Sequence, residues 1–318
     1  IRRPAHNRHA TTDFPEAFEP LTLANLGRVR MGTPNEDNAQ LADMDEMCSA
    51  VLDFKYAGGG AMVEVSSLGL GRDAAALAEL SRRTGLHMVM GAGWYEKNFH
   101  PADMDSRTVD DLADEIVRDI TVGVDGTGIR SGVIGEVGIE GDPLTANEIK
   151  SVRATGQASA RTGCPIHFHV GGHLEEKFDV IDLVEAEGVH PSNIIMGHSS
   201  QLLLSLDFAR RVIGRGVFIE FDYLGAPGSP NGTLNHRSDY VVARGVAKLV
   251  ADGHEDAIVL AHDVCTKLQL KPYGGTGYDY ISRHFLPVLS DLGVSDEAIR
   301  KIMVVNPVKA MAFRAPKP

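Results

Sequence analysis

This 318-residue chain predicts a parallel α/β architecture of barrel type, on three observations. Seven short apolar, β-branched runs recur along it, amphipathic helical stretches separate them, and ionisable residues collect at the carboxyl ends of the runs. The runs are AMVEVSS (61–67), HMVMGAG (87–93), SGVIGEVG (131–138), PIHFHV (165–170), NIIMGHS (193–199), VFIEFDY (217–223) and AIVLAHD (257–263), each short enough for a buried strand. Such alternation suits either an open doubly wound sheet or a closed (β/α)8 TIM barrel. Glu136, His169, His198, Asp222 and Asp263 end their runs. A barrel brings such ends to one mouth, whereas an open sheet spreads them along an edge.

Taken in order, residues 1–50 are rich in Asn, Asp, Pro and Arg, and a helix is predicted from about Asp43 to Tyr56, leading into Gly58–Gly60. After the first run, GLGRD (69–73) lacks both the lysine of a P-loop and a full GxGxxG. Its Arg72 and Asp73 are expected to hold the loop and start a helix over 72–84. Helical stretches close with glycine at Gly85, Gly163, Gly188, Gly216 and Gly253. Thr145 and Glu148 have capping-box spacing, and Ile149, Val152 and Ala158 to Ala160 supply the apolar face behind them. No Pro/Ser-rich linker interrupts the pattern, so residues 1–318 read as one domain: an irregular and helical part (1–56), the strands (61–263), and a C-terminal loop with helices (264–318). A barrel needs an eighth strand, and none is readable before residue 61. The count places the first strand upstream of Ile1, which makes the seven runs strands 2 to 8.

The bulk numbers narrow the partners. With 43% hydrophobic residues and no membrane-length apolar run, the chain reads as a soluble protein. A net charge of -12 repels phosphate backbones and anionic lipid, which leaves nucleic acid and membrane as poor partners. Cys48, Cys164 and Cys265 are odd in number and lack disulfide or zinc-knuckle spacing, so a cytoplasmic setting is expected. The chain begins at Ile1 without Met, which leaves an upstream targeting segment open.

Strand alternation puts His167 and His169 on one face, pairs Glu136 with Ile134 and Asp263 with Ala261, and turns His262 away from the barrel axis. Imidazoles and carboxylates are donors for zinc or a similar divalent ion. A lone strand-end histidine is usually just a hydrogen-bonded residue. Several polar residues buried at the ends of apolar strands must instead be paired or bind something, and together they favour a metal site. His167, one layer deeper, is expected to have a supporting role, and His173 to sit in a loop or at a helix start. Trp94, Tyr95 and Tyr223 follow strands and either line a substrate pocket at the mouth or pack loops. Cys265, without a clear histidine base, reads as a small hydrophobe rather than a nucleophile. KPYGGTGYDY (271–280) falls where barrel enzymes place substrate contacts.

GLGRD (69–73), TGLHMVMGAGWY (84–95), GVIGEVG (132–138), TGCPIHFH (162–169), IIMGHS (194–199), FIEFD (218–222), VLAHD (259–263) and NP (306–307) fall in the order and spacing of the phosphotriesterase-like family of the amidohydrolase superfamily. The resemblance extends from about residue 20 onward. It implies a (β/α)8 barrel with two divalent metal ions, most simply zinc. Glu136 matches the metal-bridging group, His169 and His198 match ligands of the more exposed metal, and Asp263 matches the ligand that also takes a proton from the bridging hydroxide. The family's first strand carries a His-x-His pair, and none occurs in residues 1–60. His6 and His9, spaced i, i+3 in an Arg/Asn-rich stretch, are poor substitutes. The resemblance is also compatible with a homodimer.

The expected function is therefore a metal-dependent hydrolase of a small ester, with a lactone or carboxylic ester favoured over a phosphotriester. Loss of the His-x-His motivates an alternative, a non-catalytic small-molecule binding protein on the same scaffold. An open-sheet oxidoreductase is disfavoured by the absence of a dinucleotide glycine fingerprint.

Overall fold

All seven apolar runs form strands: β1 (Ala61–Glu64), β2 (His87–Ala92), β3 (Val133–Ile139), β4 (Ile166–Val170), β5 (Ile194–Met196), β6 (Phe218–Phe221) and β7 (Ile258–Leu260). They lie in sequence order in one sheet, every neighbouring pair parallel. The computed structural model describes residues 15–141, 143–170, 174–226 and 238–315. An unbroken order has no switch point, which excludes the doubly wound alternative and leaves the barrel-type sheet. Among the described residues no strand precedes β1, so β1 and β7 are the two edges. His6, His9 and His173 lie outside the described residues.

Among the described residues two α-helices precede the sheet, α1 (Leu26–Arg30) and α2 (Met44–Tyr56), the second capped by Asp43. Six follow successive strands: α3 (Ala74–Thr84), α4 (Val109–Thr121), α5 (Ala146–Thr162), α6 (Glu176–Ala186), α7 (Leu206–Ile213) and α8 (Asp239–Ala251). The described chain closes with α9 (Leu286–Asp291), α10 (Asp296–Arg300) and α11 (Asn306–Met311). Local chemistry explains the boundaries. Asp73 caps α3 by accepting from the Ala76 N–H, and Arg72 of the same GLGRD turn pairs with buried Asp119 of α4 at 2.9 Å. Gly163 ends α5 at φ 75°, where a Cβ would strike the Arg314 backbone, so only glycine fits.

The pleat sorts side chains into two cores. Ile166, Phe168, Met196, Ile219, Phe221 and Ile258 face outward and pack with Leu112, Ile116, Val184, Val212 and Leu249 of the helices. Each such burial contributes roughly 1.5–3 kcal/mol. Ile195, Phe218 and Val259 alternate to the inner face and, with Ala310 of α11, make a smaller apolar plug. A third cluster joins the two edges. Met47, Cys48 and Val51 of α2 pack with Leu80 and Leu86 on the β1–β2 side and with Leu270 from the segment after β7. Lys271–Asp53 and Lys267–Asp37 ion pairs, at 2.9 and 2.7 Å, link the same parts of the chain. Tyr278 and Asp279 of the 271–280 stretch belong to this framework, Tyr278 in the cluster and Asp279 paired with Lys271.

Glu148 holds the turn between β3 and α5. Its buried carboxylate accepts from the backbone N–H groups of Glu140, Gly141 and Thr145 and from the Thr145 hydroxyl. Burial pushes its pKa up, but these donors outweigh burial and hold it below the usual glutamate range. A depressed carboxyl stabilises the fold above the ordinary glutamate range and loses that contribution as pH falls through the folded value. Glu148→Gln should therefore cost about 2 kcal/mol near neutrality, with the deficit shrinking in acid. Urea unfolding of both proteins at neutral and acidic pH measures this, and a deficit independent of pH would contradict it.

Candidate metal centre

Simple alternation would keep Glu136 on one face with Ile134, but Ile134 packs outward against the helices. The structure corrects this expectation through a bulge. On β3, Ile134 pairs with Ile166 and Val137 with Phe168, three steps against two on β4. The extra residue turns Glu136 to the inner face. Gly135 makes the bulge feasible: it sits at φ 145°, and a Cβ there would lie 2.4 Å from the His167 carbonyl oxygen.

On that face three ligand-type side chains converge. Glu136 Oε1 lies 3.2 Å from His169 Nδ1 and 3.4 Å from His198 Nε2, and the two ring nitrogens are 2.6 Å apart. One donor atom from each residue lies within 4.8 Å of the others. One carboxylate oxygen and two imidazole nitrogens are a donor set that zinc accepts, and the three residues are grouped closely enough that they could hold a single divalent cation, although the two nitrogens here stand at hydrogen-bond distance from each other. A second ion would need donors beyond this trio.

The electrostatics follow from burial. Glu136 is pushed up by burial, but the imidazoles of His169 and His198 more than reverse this and hold it well below the usual carboxylate range. Burial lowers His169, and the adjacent charge of His198 lowers it further. Burial also opposes the charge on His198, yet Asp222 and Glu136 raise it well above the histidine range. Asp222 does this through geometry: its Oδ1 accepts from His198 Nδ1 at 3.0 Å and its Oδ2 accepts from the His198 backbone N–H at 2.7 Å. The first bond leaves Nε2 aimed at the other donors, the arrangement that orients metal-ligating histidines.

Asp263 follows the end of β7, half-buried, in a left-handed conformation with φ 49°. It is not one of the three grouped donors, but it senses His198, Glu136 and Asp222, and burial pushes it up to about 7. His262 points elsewhere, accepting from the Ile281 N–H ahead of α9. Tyr95 sets its ring edge-on to His169 at 4.8 Å with its hydroxyl 3.0 Å from Nδ1, and Tyr223 stacks on His198 at 5.1 Å. Trp94 does not join them. It is 1% exposed, packed in the outer core with Arg107 over its ring, because one residue of alternation separates it from Tyr95. Of the two places open to it, a substrate pocket or packing, this burial fits packing.

Below the trio, His167 Nε2 donates to Glu220 at 2.9 Å. Burial alone would lower His167, but the facing Glu220 lifts it to about 9. Glu64 on β1 is a further carboxyl that burial pushes up, with Glu136 among the charges acting on it. Sequence reading assigned no role to Glu64 or Asp222. A lone acid inside AMVEVSS and another closing FIEFD were the available signals.

A sheet of β/α-barrel type with histidine and carboxylate donors at the carboxyl ends of its strands sets the structural class. Comparison with known proteins then places the chain. The profile of the Phosphotriesterase family matches residues 21–311. N-acetyltaurine hydrolase from Bos taurus is 34% identical over 305 residues, covering 93% of this chain and 86% of that protein. A resiniferatoxin-binding protein from Rhodobacter sphaeroides superposes with a TM-score of 0.89 at 34% identity, covering 96% of this chain and 85% of the other. The phosphotriesterase homology protein from Escherichia coli, solved with phosphate in its active site, gives 0.80 at 26% identity, covering 92% and 96%. The chain belongs to the phosphotriesterase family.

Two measurements test this geometry. Elemental analysis of protein purified without chelator should find divalent metal, and His169→Ala should lose it while keeping its circular dichroism. Trp94→Phe should lower unfolding stability by about 1–3 kcal/mol without weakening ligand binding; an intact stability with a weakened ligand would return Trp94 to the pocket.

Proposed function

We propose that the protein is a metal-dependent hydrolase of a small acyl substrate, with the amide of an N-acylated amino acid or amino sulfonate favoured over an ester or lactone. The observation that carries the reading is the convergence of Glu136, His169 and His198 beside Asp263 at the carboxyl ends of the strands. The preference for an amide comes from relatives named N-acetyltaurine hydrolase that match 93% of the chain. A bound divalent ion, zinc being the first candidate, would polarise the acyl oxygen and acidify water at the site.

The chain's own groups supply the rest. Asp263, poised near neutrality, would take the proton of the attacking water and return it to the leaving amine, so that the acyl carbon gains oxygen as its bond to nitrogen breaks. Tyr95 would direct its hydroxyl at the acyl oxygen from one side of the donor trio, and Tyr223, stacked on His198, would form the facing wall. Burial drives the Tyr95 phenol far above its ordinary range, so it stays a hydrogen-bond donor at physiological pH.

A second reading keeps the pocket without turnover, as a small-molecule binding protein. It is favoured by the likeness to the resiniferatoxin-binding protein and by the grouping of only three donors among the described residues. Zinc- or manganese-loaded protein assayed for taurine release from N-acetyltaurine, with a lactone and a carboxylic ester alongside, separates the readings. Turnover of the amide is expected, with Asp263→Asn losing about 10²-fold or more in kcat and Tyr95→Phe about 10-fold or more. Ester or lactone turnover alone would move the substrate class. Saturable binding with no turnover of any of the three would replace the hydrolase by the binder.

A further inference from the structure

The first turn of α6 carries a lysine whose place in the fold is unusual. Lys177 is 1% exposed, although its setting in LEEKFD reads as a solvent-facing charge. Burying an ammonium is costly unless its donors are used. Its Nζ donates to the Gly197 carbonyl at 3.1 Å and, at a longer 3.4 Å, to the Val170 carbonyl. Val170 follows His169 and Gly197 precedes His198, so one amine links the ends of the two strands that present the imidazoles.

The Gly197–His198 peptide is held from both sides. Its carbonyl accepts from Lys177, and its N–H donates to Asp222 Oδ2. Cation on the carbonyl and carboxylate on the N–H match the peptide dipole and strengthen both bonds. The peptide needs such support because His198 adopts φ 50° and ψ 41°, a left-handed conformation unfavourable for a residue with a Cβ. Gly197 itself leaves little slack, since a Cβ there would lie 2.7 Å from the Phe168 carbonyl oxygen. Asp222 and Glu176 are the charges acting on Lys177; burial lowers it to about 8 against their pull, which leaves it an ammonium at neutral pH.

We propose that Lys177 is a positioning residue for His198: it locks the Gly197–His198 peptide so that Asp222 can aim the imidazole at Glu136 and His169. The part of this inference that concerns metal affinity rests on the proposed metal centre, whereas the part that concerns the peptide does not. Two variants test it, Lys177→Met, which keeps the length and removes the donors, and Lys177→Gln, which keeps donor capacity at a shorter reach. The first readout is hydrogen exchange at the His198 amide by NMR, and the second is zinc affinity by chelator competition. In Lys177→Met the His198 amide should exchange about tenfold faster or more while the Met196 amide of β5 keeps its protection, and zinc affinity should fall about 10- to 100-fold. Lys177→Gln should fall between wild type and Lys177→Met, and it carries the test if the methionine variant fails to fold. Unchanged His198 exchange overturns the proposal, as does acceleration shared equally by Met196, which would mean general loosening. If the wild type binds no zinc, the metal reading fails and the exchange result alone decides the role of Lys177.

Discussion

A carboxylate buried in a barrel interior must have its charge answered, and the organisation of this protein's site turns on how Glu136 is answered. In water the group is solvated; inside the sheet it has only what neighbouring strands deliver. Two imidazoles from β4 and the end of β5 do so, and their convergence requires the β3 bulge that brings Glu136 to the inner face. The bulge in turn requires Gly135, since any side chain there would meet β4. One electrostatic requirement thus accounts for a register shift, a glycine and the pairing of ligand-type residues from three strands.

The support continues outward in layers of alternating charge. Asp222 orients His198 by bonding both its ring and its backbone, and Lys177 holds the other side of the same peptide. Beneath, the His167–Glu220 pair borders the apolar plug, with His167 in register with Ile195 of β5 and Glu220 with Val259 of β7. A network of this kind is rigid because each member would be costly to leave unpaired. Rigidity suits a site that must hold donors at fixed separations, for a metal or for a reacting acyl group.

The edges of the sheet meet a different need. Parallel strands usually have both faces covered and their edges closed, and here β1 and β7 do not pair with each other. The apolar cluster of α2 with the segment after β7, together with the lysine–aspartate pairs, spans the interval between them. The 271–280 loop, which its composition and position offered as a substrate loop, contributes Tyr273, Tyr278 and Asp279 to this closure.

Much of this was legible beforehand. The seven strands, their parallel alternation with helices, the Thr145–Glu148 cap and the glycine stops follow from local periodicity and backbone stereochemistry, which act within a few residues. His169, His198 and Glu136 were legible as a group because polar residues ending apolar strands need partners. The bulge that parts Glu136 from Ile134, the burial of Trp94, and the roles of Asp222 and Lys177 were not. Each depends on registers between strands or on a helix docking against two strand ends, so the deciding atoms are distant in sequence. Short-range chemistry therefore determined which elements form and which residue types gather at their ends. Only the tertiary structure decided which of those residues face one another, because a bulge or a buried amine acts through neighbours that the chain order does not reveal.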